Sequence, residues 1–282
     1  MHQGQSARDI FQEGLKRLQP VYDEAEAKAI VYWLMEDLLS LTKTQIALNA
    51  TGPKERSVYD QALEAVTSGK PVQYVLGYTW FRELKIEVGP GVLIPRPETE
   101  LAVETVAEWM SGDETVLDIG TGSGCIPIGI ARSHPSCTPI GWDLSLAALE
   151  MAKRNAERHH VQLQLARVDM LGDWPSISVD AIVSNPPYVL ESEQDAMHIN
   201  VLNHEPGEAL FVPDEDPLRY YKALAVKSGV ALRPGGIIVL EINEEKSREV
   251  AQLLEEAGYQ NVEILKDFFD KPRVVKGTQP ES

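Results

Sequence analysis

The feature that most constrains this chain is the alternation that begins at residue 115 and runs to the C-terminus. Short runs rich in β-branched and other apolar residues take turns there with stretches of helical spacing. The first run, 115–119, ends in Asp118-Ile119 and opens into Gly120-Thr121-Gly122-Ser123-Gly124. A second strand at 139–142 ends at Asp143, and a helix over 145–158 lies behind it. Further strands are expected at 163–168, 180–184 and 237–241, the last preceded by a helix over 218–232. A helix over 245–257 then leads to two closing strands near 262–265 and 273–276. Strands separated by helix-length segments pair in parallel through right-handed crossovers. The expectation is an α/β fold with a doubly wound, mostly parallel, seven-stranded sheet.

Ahead of that alternation the spacing is helical. Ile10, Phe11, Leu15 and Leu18 share one face, Pro20 stops the run, and Asp23 is suited to open the next. Ala29, Ile30, Trp33, Leu34, Leu38 and Leu41 recur at helical intervals, and a short helix fits 44–48. Tyr59, Ala62, Leu63 and Val66 mark another before Gly69 and Pro71. These stripes read as the core of a small helical bundle. From Trp80 the period becomes two: Phe81, Leu84, Ile86 and Val88 precede Gly89-Pro90-Gly91, and Val92 and Ile94 follow. That pattern predicts a hairpin turning at the glycines, closed by Pro95 and Pro97, with a helix over 98–109 next. The division is a helical domain at 1–77, a hairpin linker at 78–97 and an α/β domain at 98–282. A chain of 282 residues is long enough for two cores.

Composition narrows the function classes. The chain has 26 Lys and Arg against 43 Asp and Glu, a net charge of −17. Holding DNA or RNA through its phosphates needs an excess of cations, so stable nucleic-acid binding is not expected. Cys125 and Cys137 are too few for a disulfide framework and fit a reducing compartment. No stretch approaches a membrane span and no secretory pattern opens the chain, which points to the cytoplasm and to no membrane partner. The six histidines lack the spacing of a metal site, so no metal is expected. Cys125 reads as a small buried residue, not a nucleophile.

Glycines directly after a strand let a ligand approach the backbone and permit positive φ in a tight turn. Many nucleotide-binding folds use such a loop, and the neighbouring residues narrow the choice. Asp118 would repel a pyrophosphate, whereas it suits a cation such as the sulfonium or ammonium of S-adenosylmethionine. Asp143 is expected to accept hydrogen bonds from ribose hydroxyls. Asp169, after the third strand, is placed to reach an adenine amino group, and Trp174 to cover the ring. Acidic strand ends also cap turns, and that alternative stands beside the first for Asp118 and Asp143.

Ser184-Asn185-Pro186-Pro187-Tyr188 follows the fourth strand. In a doubly wound sheet the first and fourth strands are neighbours at the switch point, so this segment should face the glycine loop across one crevice. Two prolines fix φ and remove two backbone donors, leaving free carbonyls on a rigid segment. The Asn185 side-chain oxygen and the Pro186 carbonyl can accept both hydrogens of a planar –NH₂ group, and Tyr188 can pack on its flat face. Such a nitrogen is a poor nucleophile because its lone pair is delocalised. Holding both hydrogens orients it and favours pyramidalisation as a bond forms.

Asn-Pro-Pro-Tyr after a fourth strand resembles the signature of methyltransferases that modify planar amino groups. The rest of the chain resembles one branch of them, the protein-(glutamine-N5) methyltransferases of peptide chain release factors. The resemblance is carried by Pro71, Gln73, Tyr74 and Gly77, by Val92 through Glu100, and by Asp118 through Cys125. Glu205-Pro206 with Ala209-Leu210, and Gly235-Gly236 with Glu241, also fall in family order. Asp267 and Arg273 resemble the closing pattern, but Phe268-Phe269-Asp270-Lys271-Pro272 lacks its glycine. The resemblance implies a Rossmann-like methyltransferase domain and an N-terminal domain that docks substrate. It implies S-adenosylmethionine as donor, S-adenosylhomocysteine as product, and the glutamine of the Gly-Gly-Gln loop of class I release factors as substrate. Gly120, Thr121, Gly122, Ser123, Gly124, Asp143, Trp174 and Asn185 would contact the donor; Asn185, Pro186, Pro187 and Tyr188 would hold the glutamine. Arg96, Thr99 and Glu100 resemble the pocket edge, although Thr99 or Glu98 could equally stabilise a first helical turn. The alternative is an amino methyltransferase of DNA or RNA bases, which wants a basic groove or a target-recognition domain. A non-catalytic binding module is a third reading, disfavoured by the intact loop and tetrapeptide.

Overall fold

The computed structural model describes residues 5–281, so residues 1–4 of the expected first domain, and residue 282, lie outside the described residues. The chain forms two compact units. One holds the described residues through Tyr78 together with His198–His204; the other holds Thr79–Met197 and 205–281.

The first unit contains α1 (Ala7–Leu18), α2 (Glu24–Leu39), α3 (Lys43–Ala47), α4 (Ser57–Thr67) and α5 (Val72–Leu76). Side chains start three of them. Ser6 and Asp9 form a reciprocal capping box, Asp23 accepts from the Glu26 N–H, and Thr42 pairs with Gln45. Ile10, Leu18, Leu34, Met35 and Leu63 are fully buried in the core they share. The helix α5 was not expected between the breakers Pro71 and Gly77. Pro71 stands at its N-cap and Gly77 ends it at φ 79°, so the two residues bound a helix instead of forbidding one. The same unit takes in His198–His204, where His198 stacks on Tyr22 and the Asn200 amide donates to the Tyr22 hydroxyl at 2.6 Å.

The second unit begins at a hairpin of β1 (Tyr78–Phe81) and β2 (Leu84–Glu87). This corrects the expected turn. Arg82 and Glu83 both take positive φ, 46° and 63°, the two-residue geometry that matches strand twist. Val88, Val92 and Ile94 are buried all the same, because residues 88–96 run as a strap outside the strands, packed on the domain. Alternation there reports packing, not pairing.

Next come α6 (Glu100–Trp109), β3 (Thr115–Ile119), α7 (Cys125–Ser133), β4 (Thr138–Asp143), α8 (Leu146–Arg158), β5 (Gln164–Arg167) and β6 (Val179–Ser184). Two short strands, β7 (Val189–Leu190) and β8 (Phe211–Val212), pair in parallel and bracket the segment that contains α9 (Ile199–His204). The chain closes through α10 (Arg219–Ala231), β9 (Leu232–Glu241), α11 (Ser247–Glu256), β10 (Gln260–Lys266) and β11 (Pro272–Thr278). The seven-stranded sheet has the order β10-β11-β9-β6-β3-β4-β5. Only β11 runs against the direction of the other six strands. Successive strands leave β3 outward through β4 and β5, then resume on its other side at β6. The expected doubly wound α/β sheet is present, with its switch point between β3 and β6.

Candidate active site

Parallel pairing aligns Ile119 with Ser184, and the Ser184 hydroxyl donates to the Ile119 carbonyl at 2.6 Å. The glycine loop and the tetrapeptide therefore leave the sheet side by side. A Cβ built on Gly120 would stand 4.0 Å from the Asn185 carbonyl oxygen. Between them opens a cleft of about 790 Å³, walled also by Asp143, Asp169, the strap at Arg96 and Thr99, and Phe211 and Tyr220.

Gly120, Gly122 and Gly124 take φ of 77°, 56° and 79°. At Gly124 a side chain would in addition press within 3.1 Å of the Ala152 methyl. Asp118 is completely buried, and neither carboxylate oxygen has a hydrogen-bonded partner. The Thr121 and Ser123 hydroxyls are orphaned in the same way. Burial pushes Asp118 up to about 7; the neighbouring Thr121 hydroxyl opposes that and the Asp143 charge adds to it. Thr121 and Ser123 line the cleft, whereas Asp118 lies behind its wall; a buried carboxylate so close to the loop favours a cationic ligand over a pyrophosphate.

Asp143 caps a turn and also reaches the cleft. Its oxygens accept from the Gly122 and Ser145 N–H groups, each at 2.9 Å, and the residue lines the cleft. Asp169 also lines the cleft and accepts from the Leu171 N–H at 2.9 Å. Trp174 does not line it. Its ring lies edge-on to Trp142, its N–H donates to the Met170 carbonyl, and Lys227 stands 5.7 Å over its centre. A half-buried indole with a satisfied N–H acts here as a brace, and Met170 and Leu171 line the cleft instead.

Within the tetrapeptide, the Asn185 amide nitrogen donates to the Thr99 hydroxyl at 3.3 Å, and Pro187 lines the cleft while Pro186 is buried. Tyr188 departs from the expected stacking. It is not part of the cleft wall, and its hydroxyl donates to Glu241 Oε1 at 3.3 Å. Glu241 ends β9 in full burial, which pushes it up to about 7 against the lowering effect of the Thr99 and Tyr188 hydroxyls. Glu100 also lies outside the cleft wall, accepting the Arg82 N–H at 3.0 Å. Arg96 and Thr99 do reach it.

Three residues escaped the sequence-level list. Glu205 is buried, takes the Arg96 guanidinium at 2.7 Å and the Ile94 N–H at 3.0 Å, and so ties the strap over the cleft. Asn155 lies buried on α8, bonded to Glu87 and to the Ser123 carbonyl of the glycine loop. A polar residue within an apolar helical stripe was its visible signal. Glu241 is the third, marked in the sequence by its place in the family order and as a charge ending an apolar strand, but given no role there. Among the described residues, no group of three or more His, Cys, Asp or Glu could hold a metal ion, and no helix is long and apolar enough to cross a membrane. Burial pushes the Cys125 thiol up to about 12.

A glycine loop and an Asn-Pro-Pro-Tyr segment at adjacent carboxyl ends of this sheet define a methyltransferase domain. Residues 97–211 match the family described as Methyltransferase small domain, and residues 9–77 match the PrmC N-terminal domain. A methyltransferase from Pyrococcus furiosus shares the fold, with a TM-score of 0.53 at 18% identity, over 78% of this chain and 99% of that one. Curated relatives give the particular family. A release factor glutamine methyltransferase from Bacteroides thetaiotaomicron is 38% identical over 92% of this chain and 95% of its own length. One from Flavobacterium psychrophilum is 33% identical over 93% and 95%. The chain belongs to the release factor glutamine methyltransferase family.

Proposed function

We propose that this protein methylates the side-chain amide nitrogen of the glutamine in the Gly-Gly-Gln loop of class I peptide chain release factors, in the cytoplasm, with S-adenosylmethionine as donor. The observation that carries the reading is the position of Asn185. Its amide nitrogen is taken up by Thr99, so its oxygen is left for a substrate N–H, at the rim of a cleft whose glycine loop holds a buried, unpartnered Asp118. S-adenosylmethionine, when bound, supplies an electrophilic methyl on a sulfonium that departs as neutral S-adenosylhomocysteine.

The protein's own groups do the rest. Gly120 through Gly124 offer close backbone approach, and Asp118 and Asp143 favour a ligand with positive charge and with hydroxyls. The Asn185 oxygen and the Pro186 carbonyl accept the two amide hydrogens, which fixes the nitrogen and draws density toward it as it becomes cationic. One amide proton is lost after that, so no strong base is required beforehand. The rigid Pro-Pro segment admits a flat amide on a thin stalk, and two glycines ahead of the glutamine let its backbone enter.

Mass spectrometry of release factor incubated with the protein and donor is expected to find one added methyl on that glutamine. DNA and RNA incubated in parallel should stay unmodified. Methyl transfer to nucleic acid with the factor untouched would overturn the assignment.

A further inference from the structure

The two ends of an asparagine amide are nearly the same shape, so sterics alone leave Asn185 free to present either one to a substrate. Only the oxygen end can receive a substrate –NH₂; the nitrogen end would set donors against donors. Something must choose. The Asn185 nitrogen donates to the Thr99 hydroxyl at 3.3 Å, and Thr99 is itself buried. A hydroxyl can also donate, however, and if Thr99 turned its proton to Asn185 the amide would have to flip. The acceptor available to that proton therefore decides.

Glu241 is the acceptor within reach. It is 1% exposed at the end of β9, the strand that pairs with β6 beside the tetrapeptide. Its Oε1 takes the Tyr188 hydroxyl proton at 3.3 Å, and its Oε2 is buried with no hydrogen-bonded partner. The Thr99 hydroxyl lowers the pKa of this carboxyl, as a nearby donor does, and Arg273 acts the same way while Glu98 opposes both. Tyr221, also packed there, donates to the Glu241 backbone carbonyl and leaves the carboxylate to the other two hydroxyls.

We propose that Glu241 is a positioning residue: by accepting the Thr99 proton at Oε2 it orients the Asn185 amide, oxygen toward the substrate. A bond from Thr99 to the open Oε2 would close a chain of single polarity. In its ionised form Glu241 has no proton to return, so Thr99 must then accept from Asn185. Tyr188 is held by the same group, which places both ends of the tetrapeptide under one buried charge. A carboxyl that merely filled space would be replaceable by an amide of the same size. Here it is not, because a carboxylate offers an acceptor at each oxygen, whereas an amide offers one oxygen and sets its –NH₂ donors against the second hydroxyl. The proposal rests on the assignment of Asn185 to the substrate amide.

Steady-state kinetics with whole release factor and the full-length protein test it, on Thr99→Val, Thr99→Ser and Glu241→Gln, with donor affinity from calorimetry and thermal midpoints alongside. Valine keeps the shape of threonine and loses the hydroxyl; serine keeps the hydroxyl. Thr99→Val and Glu241→Gln are expected to lower kcat about tenfold or more, with donor affinity within about twofold. Thr99→Ser should restore most of the turnover lost in the valine variant. A valine variant with wild-type kcat, or a serine variant as slow as the valine one, would overturn the relay. If Glu241→Gln does not fold, the valine–serine pair still decides. Wild-type protein that leaves release factor unmethylated would strike the substrate assignment, a result the variants cannot imitate.

Discussion

Asp118 is a carboxyl group fully withdrawn from water with no partner for either oxygen. Burial raises it from an ordinary 3.8 to about 7, so between those values the folded chain binds a proton that the unfolded chain does not. Its contribution to stability is thus fully present below the lower value and lost as pH rises through the upper one. Glu241 acts in the same sense, from 4.5 to about 7. The ligand-free protein should therefore melt at a lower temperature at about pH 8 than at about pH 5, as far as these two groups govern it. Asp118→Asn should raise the midpoint at the higher pH and flatten the profile, while weakening donor binding in calorimetry. A variant that loses stability and keeps donor affinity would contradict the role given to this carboxyl. Asn185→Ala removes one acceptor for the substrate amide and should cost about 10²–10³ in kcat, with donor affinity changed far less. At this scale the sequence was most legible where function lies in consecutive residues. Gly120 through Ser123, Asn185 and Pro187 line one cleft, with Gly124 and Pro186 behind its wall. Trp174, Tyr188 and Glu100 were assigned to it as well, and each turned to a partner that no local pattern announces: Trp142, Glu241 and the Arg82 backbone.

The elements hold the loop in place from behind. Helix α8 carries Ala148, Met151, Ala152, Asn155 and Ala156 buried, and Asn155 is the polar member of that stripe. Its amide donates to the Glu87 and Ser123 carbonyls at 2.9 Å, and its oxygen takes the Glu87 N–H at 2.7 Å. One side chain thus fastens β2 and the glycine loop to the same helix. Asn155→Ala leaves the Glu87 N–H and two carbonyls without that partner. A loss of about 1–3 kcal/mol is expected from urea unfolding, together with weaker donor binding as the loop loosens. Unchanged donor affinity at reduced stability would limit Asn155 to the core. Most strands and helices could be placed from periodicity and punctuation, to within a few residues at their ends. The hairpin could not. Gly89-Pro90-Gly91 does turn the chain, the Val92 N–H donating to the Gly89 carbonyl, yet Arg82-Glu83 supplies the hairpin turn, since pairing Tyr78–Phe81 with Leu84–Glu87 outweighs the cost of two non-glycine residues at positive φ.

For the whole molecule, a three-residue loop offers too little surface to account for recognition of a large protein substrate. A short Gly-Gly-Gln peptide should consequently be methylated with a KM raised about tenfold or more over intact release factor, and with kcat changed much less. Equal KM values in the same initial-rate assay would show that the loop alone is read. Deleting the N-terminal helices is a poorer test, because His198–His204 belong to that unit and would lose Tyr22 and the surfaces around it. Those residues follow the tetrapeptide in sequence, where only a loop could be inferred. By itself the sequence determined the doubly wound sheet, the helical N-terminal part and the two motifs at the switch point. These depend on periodicity and on contiguous residues, which a linear reading contains. Only the tertiary structure decided that Glu205 ties down the strap, that Glu241 holds the Tyr188 hydroxyl, and that Asn155 braces the loop. Each of those bonds joins residues tens of positions apart or more, and its value comes from burial, which excludes water as a competing partner.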